Sequence, residues 1–508
     1  MSTAADKLSI ALQRQFEQAF ALHQQKRLKD AQVAYAAILK KHPRHFDSLH
    51  LLGVIAIQNQ HYQGAIDLIH QALTINPDNA EAHYNCGLAH QELQQWTQAV
   101  ACYDRAISLV PDAASYCNRG VALKELKQWD EAIASYDQAI LLKPDYVDAY
   151  YNRGVALRVL NRLEEAVSSY DAAIAIQPQY ADAYCGKSLV LLLKGEFETG
   201  WRLFEWRWHP SIHTYLERHF PQPRWHGTEP LAGRTLFLHS EQGLGDILQF
   251  CRYAPLAKAL GARVLLALPS TLMRLFSNFN GVDGLVEFGS ALPAFDRHCP
   301  LMSLPLAFKT FAAHQIPANI PYIKPPPALV DTWAQRLGAR TRPRVGLVWN
   351  GGFRPNLPKA WAINERRNMP FANIAQLNRA DIDFYSLQKG EQAEKALESE
   401  RILHWSGTNF HILSQDIKDY ADTAALVAHL DLVIAVDTSV VHLAGAMGKP
   451  VWLLNRFDSC WRWLLEREDS VWYPSLRIFR QPQLGDWESV ITEVQLALSS
   501  WLDAPTGL

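Results

Sequence analysis

The stretch NRGVALKELKQWDEAIASYDQAILLKP, residues 118–144, contains small residues, a tyrosine and a closing proline that recur along the first two-fifths of the chain. Five prolines follow one another at intervals of 34, 34, 33 and 34 residues: Pro43, Pro77, Pro111, Pro144 and Pro178. Between them, glycines, alanines and tyrosines keep matching positions: Gly53, Gly87, Gly120 and Gly154; Ala65, Ala99, Ala132 and Ala166; Tyr103, Tyr136 and Tyr170. A fixed period of this length predicts an array of repeated structural units.

Each unit reads as two antiparallel helices. The small residues let the helices approach closely, the aromatic residue fills the gap beside them, and the proline ends the second helix because it has no N–H to donate. This pattern resembles the tetratricopeptide repeat. The resemblance implies about five repeats and part of a sixth, an α-solenoid over residues 1–209 with a concave groove that holds a peptide.

A row of asparagines precedes the repeat glycines by two residues: Asn85, Asn118 and Asn152. A side-chain amide both donates and accepts, so such a row could hold a peptide backbone. It resembles the asparagine ladder of the O-GlcNAc transferases, which implies an acceptor groove. The alternative is that these asparagines form hydrogen bonds within the stack of repeats.

The bulk composition argues against several classes of function. Lys and Arg total 49 and Asp and Glu total 51, so a basic surface for nucleic acid or membranes has no support. Seven cysteines without a Cys-x-x-Cys pair favour free thiols in a reducing cytoplasm over a disulfide framework or a zinc site. No signal peptide and no long apolar run is evident. We therefore expect a soluble cytoplasmic protein without a membrane span.

The second half alternates short apolar runs with amphipathic stretches, which predicts parallel sheets covered on both faces by helices. TLFLHS, RVLLALP, GLVEFG and HCPLMSLPLAF form one series of candidate strands, and RVGLVWN, DFYSLQ, LDLVIAVD and PVWLLN form another. Two such lobes create a ligand cleft at the carboxyl ends of their strands. The predicted divisions are a linker at 210–232, a first lobe at 233–317, an interlobe linker at 318–343, a second lobe at 344–480, and a C-terminal helix at 481–508 that packs back on the lobes.

The first candidate motif is SEQGLGDILQF, residues 240–250, directly after a predicted strand. Gly243 and Gly245 permit a tight turn and close approach of a ligand to the backbone. Asp246 begins the following helix, where its carboxylate would reach an acceptor hydroxyl or amide at the mouth of the cleft. The alternative is that Asp246 is an ordinary helix cap.

The second candidate motif is LDLVIAVDTSVVHLAGAMGKPVWLLN, residues 430–455. A buried strand ends at Asp437, Thr438 and Ser439 follow as capping hydroxyls, and His442 lies one turn into the helix. The free N–H groups and the dipole of a helix start attract phosphate, and His442 could donate to a phosphate or sugar oxygen. The alternative is a capped helix with a buried, hydrogen-bonded histidine.

Together these motifs resemble the heptosyltransferase-like glycosyltransferases, which have the two-lobed GT-B fold. GLGDILQF and AVDTSVVHLAGAMGKPVW carry the resemblance, with VGLVWNGG, NERRNMP and SLQKGE between them, over roughly residues 232–500. The whole chain resembles bacterial proteins that join tetratricopeptide repeats to such a domain. The resemblance implies a metal-independent, inverting transferase with Asp246 as catalytic base and a nucleotide-diphosphate sugar held in the second lobe by Thr438, Ser439 and His442. Asp437 would bond a hydroxyl or a nearby N–H.

Further second-lobe residues are candidates for the donor site. Arg366 and Arg367 precede a helix, where one guanidinium could neutralise the leaving diphosphate. Lys389 follows a strand and is a second cationic candidate, and Asn350 ends another strand and could line the cleft. The alternative for the arginines is a solvated surface pair. The acidic DID sequence at 381–383 reads as a solvated loop, so no metal is expected.

The expected function is therefore transfer of a sugar from a nucleotide-diphosphate donor, with no further cofactor, to a protein or peptide acceptor presented by the repeats. The competing interpretation is a non-catalytic adaptor that combines peptide-binding repeats with a degenerate transferase-like domain. The base and sugar of the donor, and the identity of the acceptor, stay open. Because tetratricopeptide stacks often pair, a homodimer is compatible with the sequence.

Overall fold

The computed structural model describes residues 4–212, 220–352 and 364–503, and the chain forms two compact units, Met1–Ala183 and Tyr184–Leu508. The predicted repeat region extends to residue 209, beyond this division, and the last helical hairpin, from Ala181 to Phe204, lies almost wholly in the second unit. Within the described residues no helix combines the length and the apolar character needed to cross a bilayer.

Helical hairpins follow one another through both the first unit and the start of the second, which confirms the predicted two-helix repeat. Their helices are α1 Ala4–Gln24, α2 Leu28–Lys41, α3 Phe46–Gln58, α4 Tyr62–Leu73, α5 Ala80–Glu92, α6 Trp96–Leu109, α7 Ala113–Glu125, α8 Trp129–Leu142, α9 Val147–Val159, α10 Leu163–Ile176, α11 Ala181–Leu193 and α12 Phe197–Phe204.

The repeat glycines allow the close approach of the two helices in a hairpin. A Cβ added at Gly120 would lie 2.5 Å from the ring of Tyr136, and the same contact recurs between Gly87 and Tyr103. The tyrosine rings are fully buried. The glycine and the tyrosine therefore act as one packing unit, as the spacing predicted.

Each hairpin turns through one residue in the left-handed region of backbone conformation. These residues have φ between 56° and 82° and follow the repeat period: Lys26, Gln60, Gln94, Lys127, Asn161 and Gly195. Only the last is glycine, so the other five hairpins accept some backbone strain in order to end the first helix sharply.

The first lobe contains a four-stranded parallel sheet of order β3-β2-β1-β4. Its strands are β1 Thr235–His239, β2 Arg263–Leu268, β3 Gly284–Glu287 and β4 Arg297–Pro300. The fourth is shorter than the predicted run, because the chain continues through a 3-10 turn into the helix Leu304–Ala307, which has a proline in its first turn.

The second lobe contains a six-stranded parallel sheet of order β10-β9-β8-β5-β6-β7. Its strands are β5 Arg344–Val348, β6 Asp383–Ser386, β7 Phe410–Ile412, β8 Leu432–Val436, β9 Val451–Asn455 and β10 Leu476–Arg480. The predicted parallel strands are confirmed. The two edge strands, β7 and β10, were not predicted, since each carries exposed or half-exposed positions that weaken the apolar signal.

The predicted interlobe linker, residues 318–343, is partly helical. It contains the helix Pro327–Leu337, whose first residue is the last of three consecutive prolines. Proline suits the first helical position, because the N–H it lacks would have no partner there. Trp333 on this helix is fully buried, and its Nε1 donates to Asp422 at 3.2 Å.

The remaining described helices of the second unit cover the two sheets. They are Leu244–Phe250, Ala254–Ala259 and Ser270–Phe276 in the first lobe, and Phe371–Ala375, Glu391–His404, Tyr420–Ala428 and Ser439–Ala446 in the second. The C-terminal helix, Trp487–Asp503, packs on the second lobe and buries an apolar face in its core: Trp487, Val490, Ile491, Val494 and Leu498.

The segment that follows α12 packs on the first lobe through a buried ionic network. Arg207 donates to Glu241 at 2.8 Å and to Ser303 at 2.7 Å, and Glu205 pairs with both Arg207 and Arg224. Burial raises the pKa of Glu241, and the facing Arg207 opposes that rise.

Candidate functional site

The two candidate motifs meet within the second unit. The turn that contains Gly245 packs directly on the start of the helix Ser439–Ala446, and a Cβ added to Gly245 would lie 2.8 Å from Cδ2 of His442. The same Cβ would lie 3.6 Å from Cα of Ser439. The glycine is required here because only a residue without a side chain lets the first-lobe backbone come this near to the second-lobe helix.

Both contact segments lie where the sheet topology predicts a ligand crevice. In each sheet the first three strands follow one another toward one edge, and the next strand is added on the other side of the first. This change of side falls between β1 and β4 in the first lobe and between β5 and β8 in the second. Crevices open outside the carboxyl ends of strands at such switch points. Gly243–Asp246 follows β1 and Asp437–His442 follows β8, so both motifs begin at these ends.

Asp246 is engaged through both carboxylate oxygens. Oδ2 accepts from the backbone N–H of Gly243 at 2.7 Å, and Oδ1 accepts from the guanidinium of Arg462. The first contact caps the start of the helix, which is the alternative role that the sequence left open for Asp246. The second contact joins residues 216 positions apart in the chain and supplies the carboxylate with a buried counter-ion.

Arg462 is a residue of this contact that the sequence analysis did not predict. Its Nε donates to Gln249 at 2.6 Å, and its guanidinium lies 4.2 Å from the ring centroid of Trp461. Burial opposes its charge, but Cys460, Asp246 and other neighbouring acidic groups raise its pKa. Nothing in the local sequence around residue 462 indicates that its partners lie in the first lobe, because Asp246 and Gln249 are more than 200 positions away.

Thr438 occupies the N-cap position of the helix Ser439–Ala446, and its hydroxyl does not cap that helix. Its Oγ1 is buried and, within the part of the chain that the structure describes, has no hydrogen-bond partner. Ser439 differs, because its hydroxyl hydrogen-bonds with the phenol of Tyr420. A buried unpartnered hydroxyl is costly, so Thr438 is suited to an incoming acceptor group such as a phosphate oxygen.

His442 is buried and stacks on Trp463 at a centroid distance of 5.4 Å, with Nδ1 2.9 Å from the Tyr473 hydroxyl. Burial, with a further contribution from Arg462, lowers its pKa to about 3, although Asp437 opposes the change. The ring is therefore neutral near pH 7. This geometry corresponds to the buried, hydrogen-bonded histidine that the sequence left open as an alternative.

The two candidate arginines have different surroundings. Arg366 donates to the buried carboxylate of Asp458 at 2.9 Å, so it is not part of a solvated surface pair. Arg367 donates through Nη1 to the carbonyl of Asp437 at 2.7 Å, and its guanidinium fills the space where a Cβ of Gly351 would lie. Arg367 is thus the arginine that lies at the carboxyl ends of β5 and β8.

The other two second-lobe candidates are hydrogen-bonded to neighbouring loop residues. Lys389 donates to the carbonyl of Ser414 at 2.9 Å and pairs with Glu394 at 3.1 Å. The backbone N–H of Asn350 donates to Oε1 of Gln388 at 3.0 Å, and the Asn350 carbonyl accepts from Nε2 of Gln388 at 3.0 Å. Both residues organise loops after their strands.

The asparagine row makes contacts between neighbouring repeats. Nδ2 of Asn85 lies 2.9 Å from Nε2 of His50, and Nδ2 of Asn118 donates to the Tyr84 hydroxyl at 3.0 Å. Each partner lies 34 or 35 residues earlier in the chain. Asn85 and Asn118 therefore form hydrogen bonds within the stack of repeats, which is the alternative that the sequence left open. Asn152 is half-buried.

Comparison with known families supports the repeats. Family models described as TPR repeat and tetratricopeptide repeat match residues 16–80, 56–117, 120–158 and 147–180. Protein FlbA of Caulobacter vibrioides is 29% identical over 335 residues, which cover 61% of this chain and 53% of that protein. The chain thus spans about half the length of this curated relative.

Two of the solved structures to which the chain is similar are those of MamA and YrrB. MamA is 24% identical over 36% of this chain and 98% of its own, with a TM-score of 0.30. YrrB, described as a TPR protein with an unusual peptide-binding site, is 26% identical over 34% of this chain and 91% of its own, with a TM-score of 0.33. Tetratricopeptide repeats, matched by the family models, therefore build the N-terminal region, and an α/β region with two parallel sheets follows them.

Proposed function

We propose that the second unit is an inverting glycosyltransferase that moves a sugar from a nucleotide-diphosphate donor to an acceptor. The observation that carries this proposal is the contact of the Gly243–Asp246 turn with the start of the helix Ser439–Ala446, at the carboxyl ends of strands from two parallel sheets. The resemblance to heptosyltransferase-like enzymes rests on these same two segments.

The donor diphosphate is assigned to the beginning of the helix Ser439–Ala446. Helix N–H groups and the dipole favour negative charge, and the unpartnered hydroxyl of Thr438 adds a donor. Arg367, held beside this helix start by the Asp437 carbonyl, supplies the positive charge that the leaving group requires. These groups stabilise charge that grows as the bond between the anomeric carbon and the phosphate oxygen breaks.

Asp246 is assigned as the base that takes the proton of the acceptor nucleophile as the nucleophile bonds to the anomeric carbon. A carboxylate that accepts from a guanidinium is a weaker base, so Oδ1 must leave Arg462 when the acceptor binds. Neutral His442 has a positioning role, since it supports the glycine turn that precedes Asp246. No metal enters this mechanism.

The repeats are assigned to the acceptor. A tetratricopeptide solenoid exposes a concave surface that suits a peptide, and its fusion to a transferase suggests a protein substrate. This step is an inference from architecture rather than from a site.

Release of nucleoside diphosphate tests the catalytic assignment. The full chain is incubated with UDP-, GDP-, ADP- and dTDP-sugars, with and without cell-extract protein. We expect one donor class to be turned over, and Asp246→Asn to lower kcat by about 100-fold or more, because general-base catalysis contributes factors of this size. Donor affinity should stay within about twofold, since Asp246 does not contact the diphosphate in this proposal.

Asp381→Asn is the matched control, because Asp381 is an exposed second-lobe aspartate paired with Arg379. It should leave turnover unchanged. If the wild-type chain turns over none of the donors under any of these conditions, the transferase assignment is wrong.

Thr438→Val separates donor binding from chemistry. The hydroxyl has no hydrogen-bond partner among the residues that the structure describes, so its removal should not destabilise the fold, whereas the donor dissociation constant should rise by about 3- to 10-fold. Thr423→Val removes a buried second-lobe hydroxyl bonded to the Asp419 carbonyl and should leave donor affinity unchanged. Equal affinities for wild type and Thr438→Val would remove this residue from the donor site.

A second candidate function is a non-catalytic adaptor. The engagement of both Asp246 oxygens, one of them by a buried guanidinium, is the observation that favours it. An adaptor would bind nucleotide or peptide without releasing nucleoside diphosphate, so the donor assay distinguishes the two functions.

A further inference from the structure

Three side chains in the second and third helical hairpins converge within the core of the repeats. His70 comes from the last turn of α4, whereas Cys86 and His90 lie four residues apart on α5 and so share one helix face. One ligand atom of each, a thiol sulfur or a ring nitrogen, lies within 4.8 Å of the other two. Among the described residues this is a convergent group of metal-ligating side chains outside the α/β region.

The three side chains differ in how deeply they are buried. Cys86 is fully buried among apolar neighbours, His90 is 7% exposed, and His70 is exposed. The cluster is therefore dry on one side and open to solvent through His70. A metal ion needs both a shaped coordination site and an entry path.

A hydrogen bond orients the ring of His90 in the way that is common for metal-binding histidines. Its Nδ1 lies 2.6 Å from Oε1 of Gln95. An amide oxygen can only accept, so the proton is on Nδ1, and Nε2 keeps its lone pair. Metal-bound histidines commonly donate their other ring N–H to an outer oxygen, which fixes the tautomer and the ring orientation.

A second sulfur lies beside the group and could act as a fourth ligand. Cys102 on α6 packs against the same apolar cluster as Cys86. Both cysteines are free thiols. The available donors are therefore two sulfurs and two imidazole nitrogens, contributed by three consecutive helices.

This donor set selects the metal class. Thiolate and imidazole ligands suit Zn²⁺ and related transition ions, whereas Mg²⁺ and Ca²⁺ prefer oxygen. In a tetrahedral zinc site the ligand atoms are about 3.3–3.8 Å apart, so side-chain shifts of about 1 Å would close the present group around an ion.

We propose that His70, Cys86 and His90 bind a divalent transition-metal ion of the Zn²⁺ class, with Cys102 as the fourth ligand. The site connects α4 to α5 and α6, and so links two successive hairpins. An ion bound only by the folded repeats stabilises them in proportion to the logarithm of its concentration over Kd. The proposal is independent of the transferase assignment, and it departs from the sequence expectation of no zinc site, which rested on the absence of a Cys-x-x-Cys pair.

The test uses the full-length chain, freed of metal with a chelator, kept reduced, and titrated with Co²⁺ and Zn²⁺. We expect one equivalent of Co²⁺ to produce thiolate-to-cobalt charge transfer and tetrahedral absorption bands, and Zn²⁺ to displace it. The thermal midpoint of the helical signal should rise with Zn²⁺. If the wild-type chain gives no charge-transfer band, the proposal is overturned.

Variants identify the ligands. Cys86→Ala should abolish the charge-transfer band or reduce it to that of a single thiolate, and the exposed variant His70→Ala should weaken metal binding by at least 10-fold without unfolding. Gln95→Leu should weaken binding by about 10-fold through loss of the outer hydrogen bond. If His70→Ala and Cys86→Ala both bind metal like the wild type, the ion lies elsewhere and the proposal fails.

Matched controls come from the same region. His83→Gln changes a second histidine of α5, which bonds the Pro77 carbonyl, and Cys117→Ala removes a buried cysteine of α7. Both should bind metal normally. Mass spectrometry of the protein as isolated provides a further check, because a disulfide between Cys86 and Cys102 would contradict metal ligation by these sulfurs.

Discussion

The charge of His442 is decided by its surroundings rather than by its intrinsic chemistry. Trp463 and Tyr473 enclose the ring, and burial together with Arg462 lowers its pKa to about 3. In the unfolded chain a histidine has a pKa near 6.5. Below pH 6.5 the unfolded chain therefore binds a proton that the folded protein does not bind, and stability falls as pH falls toward 3.

His442→Phe should reduce the acid sensitivity of the second unit. Between pH 7 and pH 5 the wild-type histidine should cost about 2 kcal/mol of unfolding free energy, and the variant should not lose this amount. Tryptophan fluorescence during urea unfolding measures it. The signal comes mainly from the second unit, because all but Trp96 and Trp129 of the 16 tryptophans lie there.

The exposed His404 provides the control for this experiment. His404→Gln should have the same pH dependence as the wild type. If His442→Phe also matches the wild type, the buried ring is not the source of acid sensitivity.

At the scale of elements, the helical hairpin depends on one contact between a glycine and an aromatic ring. Gly87, Gly120 and Gly154 each face a buried tyrosine, with Cβ-to-ring distances of 2.5–2.7 Å had a Cβ been present. In the hairpin of α3 and α4 the side chain of Ile69 takes the place of the tyrosine. The glycine therefore recurs with the repeat because the facing side chain needs the space, and not because the backbone needs a glycine conformation.

Gly120→Ala should destabilise the repeats by about 1–3 kcal/mol, because the added methyl group overpacks the interface with the buried Tyr136 ring. Far-UV circular dichroism during urea unfolding follows the helical signal. The matched control is Gly64→Ala on α4, where an added Cβ meets nothing within 4 Å.

Gly64→Ala should instead stabilise the repeats by up to about 1 kcal/mol, since alanine is the better helix former. Equal effects of the two substitutions would mean that helix propensity alone determines the repeat glycines.

At the scale of the second unit, buried arginines join its two lobes. Arg462 bonds to Asp246 and Gln249 of the first lobe. Arg252 of the first lobe donates to the Trp472 carbonyl and to the Tyr322 hydroxyl, both at 2.8 Å. Because these charges are removed from water, the lobes are coupled by interactions that are costly to break singly.

Arg462→Met should destabilise the second unit by about 3–5 kcal/mol, because it leaves the Asp246 carboxylate, which is only 15% exposed, without its counter-ion. The double variant with Asp246→Asn should cost less than the sum of the single variants, by about 1–3 kcal/mol. Urea unfolding followed by tryptophan fluorescence gives all three values.

Arg467→Met is the surface control, because Arg467 pairs with the exposed Asp469 at 2.6 Å. It should change stability by less than about 1 kcal/mol. Additive effects of Arg462→Met and Asp246→Asn would show that the two side chains are not coupled.

The local pattern of residues in the sequence was sufficient to predict much of the architecture. The period of Pro43, Pro77 and Pro111 predicted the hairpins, and apolar runs predicted both parallel sheets, because side-chain spacing follows directly from backbone geometry. The edge strands β7 and β10 escaped prediction, since half-exposed strands lack a continuous apolar run.

The sequence by itself therefore determined the repeats, the parallel strands and the residues that begin each candidate loop. Only the tertiary structure decided that Asp246 pairs with Arg462, that His442 is buried and neutral, and that Cys86 and His90 converge with His70. The physical reason is that these partners come from separate segments of the chain. Their distances, burial and charge depend on how whole elements pack, and no local spacing records that packing.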